Sequence, residues 1–114
     1  MVEKQIVWLK SEIKTPPFSE TARIQAGTLL RRIQYGEILT MPFSKPMPVI
    51  GNNCSELRIR DVNGKIDWRI IYHISSLAIV ILDVFEKKSN ETPQFVIKRC
   101  KERLKKFYEI IRGD

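Results

Sequence analysis

The chain has 114 residues, of which 43% are hydrophobic and 29% charged, and its 20 basic and 13 acidic side chains give a formal net charge of +7. This composition predicts a single globular domain over residues 1–114, and it argues against a disordered, collagen-like or disulfide-stapled protein. The longest apolar run, residues 77–82, is far shorter than the ~20 residues of a membrane-spanning helix. We therefore expect no membrane partner and, with no secretory signal pattern, a cytoplasmic location.

Two elements are predicted before the prolines of the central region. Residues 5–9 alternate in the manner of a short strand. Ser19 can cap a helix that ends near Gly36, because apolar residues recur at helical spacing between them, at Ala22, Ala26, Leu29, Leu30 and Ile33. Residues 37–53 hold three prolines and show little periodicity, which predicts a connection that packs four apolar side chains against the domain: Ile38, Leu39, Met41 and Phe43.

Three strands and a helix are predicted in the second half of the chain. The strands cover residues 56–62, 65–74 and 77–85, and Asn63-Gly64 is typical of a two-residue hairpin turn between the first two. The third strand is apolar on both faces and should lie inside the sheet. Thr92 as cap and Pro93 at the first helical position then open a helix. Its predicted buried stripe is Val96, Cys100, Leu104, Phe107 and Ile111.

The hairpin register makes a specific prediction about charge. With Asn63 and Gly64 in the loop, Arg58 faces Arg69 across the two strands, and Arg60 faces Asp67. A like-charge cross-strand pair is unfavourable by itself, so an anion bound between the arginines would account for it. Alternatively the arginines splay apart and Glu56 or Asp67 neutralises one of them. The opposite face would cover a helix with Leu57, Ile59, Trp68, Ile70 and Tyr72.

Other charged residues allow two interpretations each. Residues 93–114 carry seven basic and three acidic side chains, forming either a solvated helix face or a surface that follows phosphates. Lys87 and Lys88 follow the inner strand, either as solubility gatekeepers or as site residues. His73 shares the strand face of Arg69, which allows a general base or a structural histidine.

The chain lacks the patterns of metal and cofactor enzymes. Cys54, Cys100 and the lone His73 cannot supply a zinc or iron–sulfur ligand set, and both cysteines are expected to be reduced and buried. Short motifs for nucleotide, serine-hydrolase and metalloprotease chemistry are missing from the sequence. We therefore expect no metal and no cofactor.

An ordered set of short motifs carries a family resemblance along most of the chain. The set comprises Glu56-Leu57-Arg58, then Trp68-Arg69-Ile70-Ile71-Tyr72, then Phe85-Glu86-Lys87-Lys88, and Thr92-Pro93 before a basic helix. With these motifs the chain resembles HigB-type toxins of the RelE/ParE toxin–antitoxin superfamily, in a branch that includes phage-derived members. The resemblance implies a small α+β fold with helices on an antiparallel sheet. The element order β-α-loop-β-β-β-α agrees with it.

The resemblance also implies a function. Such toxins are ribosome-dependent endoribonucleases that cut mRNA in the A site, by attack of a ribose 2′-OH on the adjacent phosphate. By analogy, Arg58 and Arg69 would hold the scissile phosphate, and Lys87 and Lys88 would bind phosphate or transfer protons. Tyr108 cannot be matched to the tyrosine or histidine of several relatives, so the proton acceptor stays unassigned. RNA and ribosome contacts are expected at Arg60, Lys98, Lys101 and Lys105.

The implied partners are the ribosome, mRNA and a cognate antitoxin, commonly a helix-turn-helix DNA-binding protein in this branch. Two alternatives remain at this stage. The same superfamily includes toxins of similar fold that inhibit DNA gyrase by protein contact, without cutting a nucleic acid. The chain could also be a catalytically inactive, RNA-binding relative that keeps the fold and the basic surface.

Overall fold

A five-stranded sheet with a helix on each face forms the body of the protein. The computed structural model describes residues 3–9 and 18–113. Along the chain the elements are β1 (Gln5–Trp8), α1 (Glu20–Gln34), β2 (Ser44–Pro46), β3 (Cys54–Asp61), β4 (Ile66–Ile74), β5 (Ala78–Glu86) and α2 (Gln94–Arg112). The strand order is β1-β5-β4-β3-β2. This is the expected α+β class, with helices packed on a sheet. Within the described ranges, no helix is long and apolar enough to cross a membrane.

The sheet is mixed, so the expectation of a purely antiparallel sheet is wrong for one strand. β1 runs parallel to β5, with Gln5 beside Ala78 and Trp8 beside Ile81. The other correction is β2, which lies inside the predicted connection of residues 37–53 and pairs antiparallel with β3. A three-residue edge strand ending at Pro46 is too short to show an alternating pattern.

The β3–β4 hairpin has the predicted register. Arg58 pairs with Arg69, and Arg60 pairs with Asp67. Asn63 and Gly64 have φ angles of 54° and 82°, as the predicted turn requires, and Val62 before them is also left-handed, with φ 47°. The turn is closed by the Lys65 amide, which donates to the Val62 carbonyl at 3.1 Å. Local turn chemistry therefore sets which side chains face one another across these strands.

The face that carries α1 is apolar, as predicted. Its buried core joins the α1 stripe to the sheet residues Leu57, Ile59, Ile70 and Tyr72, with Trp68 packed against it. Ser19 caps α1, and its side chain accepts a hydrogen bond from the Ala22 amide at 3.2 Å. Asp61 accepts from the Ser19 amide and hydroxyl and from the Trp68 indole. These bonds, the Ser19 hydroxyl first, lower the pKa of Asp61 to about 2.

Four apolar residues that the sequence predicts to pack against the domain are exposed. In the connection before β2 only Leu39 is buried, whereas Ile38 is 84% exposed, Met41 53% and Phe43 43%. Ile111 at the end of α2 is also exposed, because the helix continues past the sheet that its earlier turns cover. The remaining members of that stripe, Val96, Cys100 and Phe107, are buried, and Leu104 packs against them.

The start of α2 differs by one residue from the prediction. Pro93, not Thr92, occupies the N-cap position, and none of the described side chains caps the helix there. The Pro93 carbonyl accepts from the amides of Val96 and Ile97, which begins the helical bonding pattern at Gln94. Gly113 ends the helix in the left-handed conformation, with φ 76°.

Candidate functional site

The predicted arginine pair lies in one cross-strand row of the sheet. Arg58 on β3 is beside Arg69 on β4, and Arg69 is in turn beside Phe85 on β5. At the other end of the row, the Arg58 amide donates to the Phe43 carbonyl at 2.8 Å, just before β2 begins. The row therefore runs from Phe43, just before β2, across the three strands β3, β4 and β5.

A cleft of about 190 Å³ opens beside this row, at the part of the β3 edge that β2 does not cover. Three of the predicted site residues, Arg58, Arg60 and Arg69, line it together. Arg60, expected only as an RNA contact, thus joins the two arginines expected at the scissile phosphate. The rest of the lining is Gln25, Pro42, Phe43 and Asp67.

Glu56 partly neutralises the arginine pair, which was one of the two alternatives drawn from the sequence. Its side chain is buried, and Oε1 accepts from Arg58 Nε at 3.3 Å and from Arg58 Nη2 at 3.2 Å. The same oxygen lies 3.6 Å from Arg69 Nε, close enough for an ion pair but too far for a hydrogen bond. One carboxylate is therefore shared by two guanidinium groups.

Several polar atoms at this pair are left without a partner. Glu56 Oε2 and Arg69 Nε are buried and make no hydrogen bond within the described ranges. Arg69 donates only from Nη1, to the Trp68 carbonyl at 3.3 Å. Arg58 Nη1 and Arg69 Nη2 consequently have no acceptor among the described residues. Charged donors of this kind suit a bound oxyanion such as a phosphate.

Burial sets the electrostatics of Arg69. The residue is only 7% exposed, and this desolvation is the largest cause lowering the pKa of its guanidinium. The Glu56 charge acts in the opposite direction, and the Arg58 charge adds to the lowering. The attraction of an anion in the cleft would offset both the cost of desolvation and the repulsion between the arginines.

The predicted lysines do not line this cleft. Lys87 follows β5, and its backbone amide donates to the Asp67 carbonyl at 2.7 Å, so it lies at the same end of the sheet. Lys88 is exposed one residue further on. Lys98, Lys101 and Lys105 are exposed on α2, where the last two border a shallow groove with Tyr108 and Arg112. The predicted basic residues thus form two groups, one at the cleft end of the sheet and one on the helix.

Comparison with known proteins places the chain in a family. The model described as phage derived protein Gp49-like (DUF891) matches residues 14–105. The chain belongs to the Gp49-like family. This family is of the RelE/HigB-like toxin type, and membership indicates a toxin of a toxin–antitoxin pair with an antitoxin as partner. No curated protein matches the chain.

His73 and Tyr108 pair with each other away from the cleft of this Gp49-like protein. His73 Nε2 and the Tyr108 hydroxyl are 2.6 Å apart, which joins β4 to α2. His73 is buried, and burial lowers its pKa, so the ring is neutral at pH 7.

Both cysteines, Cys54 and Cys100, are buried in the core between the sheet and α2, and Cys54 contacts the His73 ring. Burial raises the pKa of these free thiols to about 11 and about 12, respectively.

A second charge cluster, which the sequence reasoning missed, attaches α2 to the sheet of this Gp49-like protein. The register of β5 shifts opposite Ile71 and Tyr72, so that Asp83 and Leu82 both turn toward α2. Asp83 is buried and pairs with Arg99 and Arg103. The sequence did contain a signal for this cluster: an acidic residue interrupts an apolar strand, and two arginines lie four residues apart on the helix.

Among the described residues, no group of three or more His, Cys, Asp or Glu side chains could hold a metal ion.

Proposed function

We propose that the protein is a HigB-type toxin that cuts mRNA on the ribosome by metal-free phosphodiester cleavage. The observation that supports this proposal is the Arg58–Arg69 pair, which lines an open cleft and has N–H groups without an acceptor among the described residues. A fold needs no such pair for packing, and like charges directly opposite each other destabilise a sheet. A phosphate between the two guanidinium groups would convert this repulsion into binding energy.

The reaction we propose is an internal transfer on the RNA. The ribose 2′-OH loses its proton, and its oxygen attacks the adjacent phosphorus. The bond from phosphorus to the 5′ oxygen then breaks, and that oxygen takes a proton, which leaves a 2′,3′-cyclic phosphate and a 5′-hydroxyl. Negative charge grows on the phosphorane oxygens in between. Arg58 and Arg69 would stabilise that charge from fixed positions, which is the largest single contribution in many enzymes.

We assign the proton acceptor to Asp67. Its carboxylate lines the cleft with the three arginines, and it makes no side-chain hydrogen bond within the described part of the chain. Glu56 is less suited to this role because its Oε1 is occupied by both arginines. Lys87 and Lys88 lie outside the cleft, with Lys87 beside Asp67 at the same end of the sheet, and would act there as phosphate ligands or as donors to the leaving oxygen.

The basic side chains on α2 would attach the protein to the ribosome. Lys98, Lys101 and Lys105 lie on the exposed side of α2, where contacts to ribosomal RNA phosphates would be weakened by salt. The antitoxin, which we expect to be of the helix-turn-helix type, would inhibit by covering the cleft. The site of action would be the cytoplasm, where the ribosomes are.

Arg58→Ala provides the cleanest test of this proposal. Arg58 is a quarter exposed and its loss leaves Glu56 paired with Arg69, whereas loss of the buried Arg69 would threaten the fold. In a translating extract, with cuts read by primer extension, we expect Arg58→Ala to reduce the cleavage rate by about 10²–10³-fold. Arg31→Ala is the matched control, because Arg31 is an exposed arginine on α1, outside the cleft. It should cleave at the wild-type rate.

Three outcomes would contradict the proposal in different ways. Equal rates for Arg58→Ala and wild type would remove Arg58 from the reaction and, with it, a role for the two arginines as a pair. If wild-type protein cuts no mRNA but blocks supercoiling by gyrase, the chain is a gyrase inhibitor. Ribosome binding without any cut would make it an inactive RNA-binding relative.

A further inference from the structure

Phe43 is the aromatic side chain that lines the arginine cleft. The sequence pattern predicted that it would pack against the domain, yet it belongs to neither hydrophobic core and is 43% exposed. Scattered exposed apolar residues are ordinary on protein surfaces. An exposed aromatic ring that shares a cleft with three arginines is a more specific arrangement, because it combines a flat apolar surface with a place for an anion.

The surrounding contacts hold Phe43 in a defined position. Its carbonyl accepts from the Arg58 amide at 2.8 Å, and its amide donates to the Thr40 carbonyl at 2.9 Å. The Arg32 guanidinium lies over the ring, 5.6 Å from its centroid. Arg32 is itself fixed by Glu37, which accepts from its Nε at 3.0 Å. The ring is therefore contacted by a positioned cation, yet the residue keeps 43% of its surface exposed and lines the cleft.

The backbone of Phe43 lies one strand spacing from the backbone of Arg58, which is short enough for one nucleotide to reach both residues. Phe43 lies on the chain directly beside Arg58, and neighbouring strands are about 4.8 Å apart. A single ribose can span such a distance, so a phosphate at the arginines would place its own base near the ring. Aromatic side chains that bind single-stranded RNA stack on unpaired bases, whereas bases in a duplex are already stacked on one another.

We propose that Phe43 is a stacking platform for the unpaired nucleobase next to the phosphate held by Arg58 and Arg69. The ligand of the cleft is then a single-stranded nucleotide, read by its base plane as well as by its charge. This inference rests on the proposed function and extends it, because it assigns a base-binding subsite to the same cleft.

Phe43→Leu and Phe43→Trp test the stacking role, with Met41→Leu as control. Leucine keeps an apolar side chain but removes the aromatic plane, and tryptophan preserves the plane. Met41 is exposed in the same segment but does not line the cleft. We expect Phe43→Leu to lower kcat/KM for mRNA cleavage in the translating extract about tenfold or more. Phe43→Trp should stay near the wild-type value, and Met41→Leu should equal it.

A second measurement separates stacking from support of the arginines. Binding of inorganic pyrophosphate to the isolated protein, followed by calorimetry, reports on the arginine pair without any base. Phe43→Leu should leave this affinity unchanged. If it weakens pyrophosphate binding as much as RNA cleavage, Phe43 only positions Arg58 and the stacking role is wrong. An unchanged kcat/KM in Phe43→Leu would overturn the stacking role and leave the proposed function standing. Absence of cleavage by wild-type protein would overturn both.

Discussion

Asp83 and Glu56 are both buried on the sheet face that carries α2, and each lies between two arginines. The Asp83 cluster is closed. Oδ2 accepts from Arg99 Nε at 2.9 Å, while Oδ1 accepts from the Val84 amide at 2.9 Å and lies 3.3 Å from Arg103 Nη1. The Leu82 carbonyl takes a further bond from Arg103, so the charges are matched by local partners.

The Glu56 cluster has the same composition but is open. Its arginines come from neighbouring strands, and Glu56 Oε2 and Arg69 Nε have no hydrogen-bond partner within the described residues. A third arginine, Arg60, faces the same cleft. The carboxylate and its two paired arginines are the same in both clusters, so these ion pairs do not distinguish them. Their hydrogen bonds do, since saturated donors hold a helix in place and unsaturated donors at a cleft can receive a ligand.

The largest effect is expected from opening the closed cluster. Asp83→Asn removes the carboxylate from Arg99 and Arg103 and leaves a partly buried arginine without its partner. We expect a loss of about 3 kcal/mol in the free energy of unfolding, measured by urea denaturation. Glu109→Gln, at an exposed position of α2, should change it by less than about 0.5 kcal/mol. A loss below about 1 kcal/mol in Asp83→Asn would mean that this cluster does not anchor the helix.

Glu56→Gln tests the difference between the Glu56 and Asp83 clusters, because an added anion can reach only the Glu56 cluster. The variant should be destabilised, since Arg58 and Arg69 then repel each other without a shared carboxylate. At ten times its Kd for this variant, pyrophosphate should raise the variant's free energy of unfolding by about 1.4 kcal/mol. It should stabilise wild type less, because Glu56 competes with the anion for the two arginines. Urea denaturation at increasing pyrophosphate measures these gains. An equal gain in wild type and in Asp83→Asn, both of which keep Glu56, would show that Glu56 does not compete with the anion and would remove the distinction.

The smallest effect is expected from Asp61, a third carboxylate whose oxygens both accept hydrogen bonds. This effect is confined to acid pH. Its pKa is about 2 in the folded protein, against an ordinary value of 3.8. Its stabilising contribution is therefore present above pH ~4 and is lost as the pH falls toward 2. The difference in unfolding free energy between wild type and Asp61→Asn should shrink across that range, as followed by circular dichroism. A difference that is constant between pH 5 and pH 2 would contradict this assignment.

Local patterns accounted for much of the fold. The Asn63-Gly64 turn set the hairpin register, because a two-residue loop allows only one pairing of its flanking strands. The apolar stripe of α1 and its Ser19 cap follow from spacing within a few turns of helix. The position of Arg58 opposite Arg69 was predictable for the same reason, since both residues belong to one hairpin.

The candidate site was only partly predictable. Arg58, Arg60 and Arg69 were named from the sequence, but their common cleft depends on where β2 stops along the β3 edge. The exposure of Phe43 depends on the same edge, which no periodicity in a three-residue strand could show. The sequence offers Glu56 and Asp67 as neutralising residues, and only the contacts of Glu56 with both arginines in the folded chain decide between them.

The sequence by itself therefore determined the hairpin, its facing arginines, the cap and apolar stripe of α1, and the burial of both cysteines. These features depend on residues close to one another along the chain or on apolar periodicity. The tertiary structure alone decided the parallel pairing of β1 with β5, the turning of Asp83 toward α2, and the difference between the open and the closed arginine cluster. These features depend on contacts between distant segments. Such contacts are governed by packing and by competition for hydrogen bonds, which leave little trace in local sequence.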